Sequence, residues 1–257
     1  MDVFNQTYLT FDAGIGGKKP ETIVHQATAC PFCNRNELEG IIAEDGPILM
    51  LKNKYPVLRD TYQTVIIETE ECHSELSLYP KDHLHRLIDF GIGKWQEMIS
   101  SGEFASVIFY KNHGPYSGGT IRHPHMQIVG LKYLDYSSKV KAASFDGRVI
   151  AEQAGVQLNL STMPQIGFCE FNVKLEHVKE LHTMADYIQI VIKYLLNHFH
   201  RNCTSYNLFF YQLEGGIVAK ILPRFITSPL FVGYSIPQVS SRAEAVIEEI
   251  QSLYFTS

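Results

Sequence analysis

The segment His123-Pro124-His125-Met126-Gln127 sets two imidazoles and a carboxamide at alternate positions. On an extended strand such residues share one face. That face carries no apolar side chain, the reverse of what a strand burying one side shows. Pro124 donates no backbone hydrogen bond, so the segment begins a strand or lies at an edge, and the site is open on one side. Imidazole is a good nucleophile near neutral pH. A neighbouring amide can stabilise charge that develops on an oxyanion. Three polar groups aimed at one point mark a reaction centre.

Upstream stand Cys30-Pro31-Phe32-Cys33 and the pair Cys72-His73. Two cysteines at CxxC spacing can face one ion, and His73 and His123 can complete four ligands. Cys2His2 suits tetrahedral zinc, with soft thiolates and borderline imidazoles. Cys72 competes with His73 for the same role. CxxC also serves as a redox pair or as buried thiols. His83 and His85 are two apart on a predicted helix and do not face each other.

The rest of the chain must position these groups. Its 257 residues are 45% hydrophobic and 19% charged, enough for one large domain or two small ones with a sizeable core. The net charge of −5 gives no basic surplus for a nucleic-acid surface. No signal peptide, no membrane span and a cytoplasmic location are the expectations. Five cysteines do not make a disulfide framework in that setting.

Residues 1–29 read as a loop arm. Strands are predicted at Ile48–Leu51, Thr64–Glu68 and Val107–Tyr110, with a helix from about Pro80 to Ser100 carrying Leu84, Leu87, Ile88, Ile92, Trp95 and Ile99 at helical spacing. A Gly-rich loop, 114–120, leads into a strand at His123–Gly130. The order then recurs in reduced form: a helix over Leu175–His200, strands at Asn207–Gln212 and Val218–Leu222 about Gly215-Gly216, and a closing helix near Ser241–Phe255. This reads as an α+β fold of two tandem units with an antiparallel sheet and flanking helices, the second unit degenerate. The divisions are 1–134, a connection 135–165, and 166–257.

Laid out in order, these residues resemble the galactose-1-phosphate uridylyltransferase branch of the histidine-triad superfamily. The matching stretches are Cys30-Pro31-Phe32-Cys33, Asn53-Lys54-Tyr55-Pro56, Cys72-His73-Ser74, Asn112-His113-Gly114, Gly118-Gly119-Thr120, His123-Pro124-His125-Met126-Gln127 and Leu230-Phe231-Val232-Gly233-Tyr234. The resemblance implies a structural zinc site of Cys30, Cys33, His73 and His123. It makes His125 the nucleophile that carries a nucleoside monophosphate, with Gln127 on the phosphate oxygens. Asn53, Asn112, Gly118, Gly119 and Thr120 would bind nucleotide and phosphates. A homodimer is also compatible with it.

The chain departs from the family at several points. Met126 replaces a glycine, and Gly16 an N-terminal arginine. Val218 and Lys220 stand where a second metal site has histidines, so that site is expected to be absent. Pro229 and Ser235 replace the residues that contact sugar, which weakens the basis for hexose recognition. Lys18-Lys19, near the missing arginine, reads as a solvated pair. The expected function is nucleotidyl transfer through a nucleotidyl-His125 intermediate. The donor is a nucleoside diphosphate sugar or a dinucleoside polyphosphate; the acceptor is a sugar phosphate, phosphate or water. The alternative is a zinc-stabilised nucleotide-binding protein without efficient catalysis.

Overall fold

A computed structural model of the chain describes residues 7–25, 27–176, 178–200 and 203–255. The first six residues and Gln26 of the expected arm, and His177 of the expected second helix, lie outside the described residues. The chain divides into two compact units, one of residues 1–75 and 89–139 and one of residues 76–88 and 140–257.

The first unit is built on strands β1 (Ile41–Asp45), β2 (Ile48–Lys52), β3 (Thr61–Ile67), β4 (Ser106–His113) and β5 (His125–Leu131), preceded by the one-turn helix α1 (Ala13–Gly16). They form an antiparallel sheet in the order β1-β2-β3-β5-β4. Helix α2 (Lys81–Ser100) follows β3 in sequence. Its apolar stripe is buried as the 3.6-residue period requires, from Leu84 to Trp95. The residues after Ile88 serve the first unit. There the Trp95 indole donates to Val107 O (2.9 Å), and Gly91 leaves room for the Phe109 ring, which a Cβ would meet at 2.8 Å. The sheet face that carries Val107, Phe109, Met126 and Ile128 is the core face, each of these residues being buried. Met126 is therefore a packing residue on the face opposite His125 and Gln127.

β5 begins at His125, two residues later than expected, because Pro124 has no N–H to give the ladder. β1 was not anticipated. It is an edge strand, mostly exposed on both faces and ending in Glu44-Asp45, so it lacks the alternation that would reveal it.

The second unit repeats the scheme. Strands β6 (Gly147–Gln153), β7 (Val156–Ser161), β8 (Phe171–Leu175), β9 (Tyr206–Leu213) and β10 (Gly216–Pro223) form an antiparallel sheet in the order β6-β7-β8-β10-β9. Helix α3 (Leu181–Tyr194) lies between β8 and β9 in sequence, and α4 (Pro229–Tyr234) and α5 (Ala243–Tyr254) follow. Two expectations are corrected. The segment 135–165 is more than a connection, because β6 and β7 belong to this sheet. The helix starts at Leu181, not Leu175, because the alternating run Phe171–Leu175 pairs on both sides, with β7 and β10. The α+β architecture of two tandem units with antiparallel sheets is as the sequence indicated.

Candidate active site and metal centre

Strand register assembles the centre of the site. His125 sits opposite Ile67 of β3, and Gln127 sits between Val65 of β3 and Tyr110 of β4. Lys111 faces Met126, so continuing the register sets Asn112 across from His125. His125, Gln127 and Asn112 thus share the sheet face away from α2.

The hydrogen bonds fix both histidine tautomers. His125 Nδ1 lies 2.8 Å from His123 O, an atom that only accepts, so Nδ1 carries the proton and Nε2 carries the lone pair. His123 Nε2 lies 2.8 Å from Thr69 O and donates to it, which leaves the Nδ1 lone pair for another partner. That lone pair meets Cys30 Sγ and Cys33 Sγ, each at 3.7 Å. Phe32, inside the CxxC turn, stands edge-on to both rings, at 5.9 Å from His123 and 5.6 Å from His125. His125 is 7% exposed. Burial pushes its pKa down to about 4, and the charges of Lys111, His123 and Lys19 act in the same direction, against the bond to His123 O. The ring is neutral at pH 7, the form a nucleophile needs.

Cys30, Cys33, Cys72 and His123 bring one ligand atom each to within 4.8 Å of one another, a set that could hold a metal ion. Two of the pairs, His123 Nδ1 with Cys30 Sγ and with Cys33 Sγ, are at 3.7 Å, close to the spacing of ligands around a tetrahedral ion with bonds of roughly 2.0–2.3 Å. Cys72 takes the fourth place; His73, favoured by the sequence reading, is exposed and outside the cluster. Adjacent residues of an extended turn point to different sides, so only one of the two can enter. Burial pushes the Cys30 thiol up to about 12, with Cys33 and Cys72 adding to the rise. Burial likewise raises Cys33. Cys30 and Cys33 ionise together only against a cation. The donor set fits a metal.

The Gly loop closes against Asn112, whose Cβ would lie 3.2 Å from a Cβ at Gly119. Gly118, at φ +85°, makes a bend that favours glycine. The Gly119 N–H donates to Ser117 Oγ (3.2 Å) and Ser117 Oγ to Gly114 O (2.7 Å), so the loop is braced by its own serine. Thr120 O accepts from Thr22 N (2.8 Å), and Thr22 Oγ1 from Arg122 N (2.8 Å). The segment around buried Thr22 therefore straps the Gly loop. Asn53 lies past the end of β2; its Oδ1 closes a turn by accepting from Tyr55 N (2.8 Å), and its N–H donates to Gln63 O, which the register sets opposite Val129, four residues along β5 from His125. The register brings Asn112 and Gln127 to His125 and leaves Asn53 at that distance along the sheet.

Sequence reading passed over Phe32, Thr22 and the buried pair Lys111–Glu68. Phe32 was legible inside CxxC. Lys19 was read as solvated, but it is half-buried, burial lowers its pKa, and its charge acts on His125. No helix among the described residues is long and apolar enough to cross a membrane.

Comparisons with known proteins bear on the family and the fold. A solved DUF4931 family protein from Bacillus cereus ATCC 10987 is 45% identical, with a TM-score of 0.78 over 84% of this chain and 100% of that one. An ADP-glucose phosphorylase from Arabidopsis thaliana, solved with bound ADP-glucose, is 13% identical with a TM-score of 0.71 over 100% of this chain and 98% of its own. A uridylyltransferase mutant is 14% identical with a TM-score of 0.72, covering 87% and 90%. At such low identity the last two show the fold alone, one shared with a uridylyltransferase and an ADP-glucose phosphorylase. A di-/tripeptide transporter of Lactobacillus helveticus is 27% identical over 103 residues, 40% of this chain, and the chain spans only 21% of that protein. The sequence models of the DUF4931 N-terminal and C-terminal domains, described as domains of unknown function, match residues 11–134 and 137–255, and the chain accordingly belongs to the DUF4931 family.

Proposed function

We propose that the protein is a nucleotidyltransferase of the uridylyltransferase and phosphorylase type, working through a nucleotidyl-His125 intermediate. The observation that carries the reading is the tautomer of His125: its Nδ1 proton is committed to His123 O, so the lone pair on Nε2 is the free nucleophile, on the face shared with Gln127 and Asn112. The Nε2 lone pair attacks the α-phosphorus of a nucleoside diphosphate sugar or dinucleoside polyphosphate. The phosphorus–oxygen bond to the departing phosphate breaks, and the leaving group takes the electron pair. An oxygen of the acceptor (sugar phosphate, phosphate or water) then attacks, the phosphorus–nitrogen bond breaks, and His125 regains its lone pair. Splitting one displacement into two lowers each barrier. The Gln127 amide donates to the non-bridging oxygens, and Lys19 adds positive charge.

Zinc at Cys30, Cys33, Cys72 and His123 would serve structurally, since four protein ligands leave no open position. It would tie the start of β5 to the CxxC turn, two residues from the nucleophile. The substrate class is supported by analogy with the similarly folded phosphorylase, which was solved with bound ADP-glucose. A binding protein without efficient turnover is favoured by Val218 and Lys220, which supply no second metal site, and by Pro229 and Ser235 in place of sugar contacts.

The test is intact mass at neutral pH after mixing with UDP-glucose, ADP-glucose or a dinucleoside tetraphosphate. The reading predicts a gain of one nucleoside monophosphate that is lost in acid and absent in His125→Ala. Tight binding without adduct or consumption for every donor would leave the binding protein instead.

A further inference from the structure

Behind His125, on the α2 face of the sheet, Lys111 of β4 and Glu68 at the end of β3 form an ion pair that is 1% and 0% exposed. The register explains its location. Ile66 and Lys111 both face Met126, so Glu68 falls opposite Pro124. The Glu68 N–H donates to Pro124 O (3.1 Å), but proline cannot return a hydrogen bond, and the ladder is one-sided there. The pair spans this gap. Lys111 Nζ donates to Glu68 Oε1 and reaches His125 O at 3.5 Å. The next residue after Glu68 is Thr69, whose carbonyl fixes the His123 ring.

Stability does not account for such a pair. Taking two charges out of water costs several kcal/mol each, and apolar replacements of similar volume are often neutral or stabilising. What the pair does locally is hold backbone. Pro124 O, His125 O and Thr69 O are all held by or next to it, and these flank the two histidines. Nothing in the sequence reading or the fold comparison assigned a role to either residue.

We propose that Lys111 and Glu68 are positioning residues, which hold the His125 peptide from the far face of the sheet so that the His125 ring keeps its Nδ1–H bond to His123 O and presents Nε2. This deepens the function proposed above and rests on it for its kinetic consequence, but the ring tautomer can be read without any substrate. A nucleophile displaced by about 1 Å loses up to roughly a hundredfold in rate.

The experiment uses the full chain as purified with its metal, and the double variant Glu68→Leu/Lys111→Met, which removes both charges and strands neither. Long-range proton–nitrogen NMR reads the His125 tautomer; intact mass against time reads adduct formation; metal analysis and thermal unfolding confirm the fold. The expected result is unchanged metal content and melting, a mixed His125 tautomer, and adduct formation about ten- to a hundredfold slower at unchanged half-saturating donor. Lys111→Arg, which keeps charge and reach, should restore part of the rate. If the double variant does not fold, Glu68→Gln/Lys111→Gln, an uncharged amide pair too short to reach His125 O, is measured the same way with the same expectation. A double variant with the wild-type tautomer and rate overturns the proposal. If the wild type forms no adduct, the nucleotidyl-transfer reading fails, and the tautomer alone still decides this one.

Discussion

The two units share a strand order and differ in one hairpin. In the first, β4 and β5 are joined by residues 114–124, which carry the Gly loop, His123 and Pro124. In the second, β9 and β10 are joined by Glu214 and Gly215 alone. On the sheet face away from the helix, the first unit carries His125 and Gln127 and the second the buried Val218 and Lys220. The chemistry thus comes from an enlarged hairpin on an unchanged frame, and where the hairpin is short the same positions return to core.

The units also differ in how they treat buried charge. In the second, Lys220 Nζ is 2.9 Å from Glu170 Oε2, 2.9 Å from Ser144 O and 3.1 Å from Asn172 Oδ1. The Glu170 carboxylate also accepts from the N–H groups of Gln165 and Ile166, each at 2.8 Å. That network is satisfied within itself and ties loop to sheet. The pair in the first unit instead reaches the peptide of the nucleophile. Similar ion pairs serve cohesion in one unit and alignment in the other.

The comparison can be broken most directly at one sheet position in each unit. His125→Ala should abolish adduct formation while leaving metal and folding intact. Ile217→Ala should leave the rate per folded molecule unchanged and cost about 2–5 kcal/mol of stability in denaturant titrations. A catalytic loss at 217 would mean that the second unit is not inert. Next comes the metal centre. Cys72→Ala should release the metal and about 4 kcal/mol of stability, the amount a ligand at a thousand times its Kd supplies, whereas His73→Ala should do neither. Metal analysis by mass spectrometry separates the two.

A third, similar effect lies in the second unit. Lys220→Met strands the buried Glu170 charge and should cost about 3–5 kcal/mol, with adduct formation per folded molecule unchanged. The smallest effect concerns Asp186 on α3. Burial pushes its carboxyl up, but Lys81 and His85, each at 2.8 Å, outweigh that and hold it below its usual value. A depressed carboxyl stabilises the fold above its unfolded pKa, near 4, and loses this as pH falls through the folded value. Asp186→Asn should therefore cost at most about 1 kcal/mol at pH 7, and nothing near pH 2. Urea midpoints at the two pH values measure it.

The sequence made the first unit's centre legible because alternation at 123, 125 and 127 and the CxxC spacing are local patterns. It placed the long helix well, since six apolar residues at 3.6-residue spacing leave little choice. It could not separate Cys72 from His73, because neighbours in a turn differ only in direction. It missed β1 and β6, edge strands rich in Glu, Asp and Arg that do not alternate cleanly, and it passed over β7 and β8 although Val156–Ser161 and Phe171–Leu175 do alternate. Lys111 and Glu68 were invisible because nothing local marks a lysine as buried; only the register across three strands brings them together.

The central claim is that His125 Nε2 carries the transferred nucleotide. The direct measurement is peptide mapping under alkaline conditions, after reaction with a donor labelled on its α-phosphate. The account predicts label on the peptide containing His125, stable in base and released in acid. Label on any other residue, or label that survives acid, would contradict it.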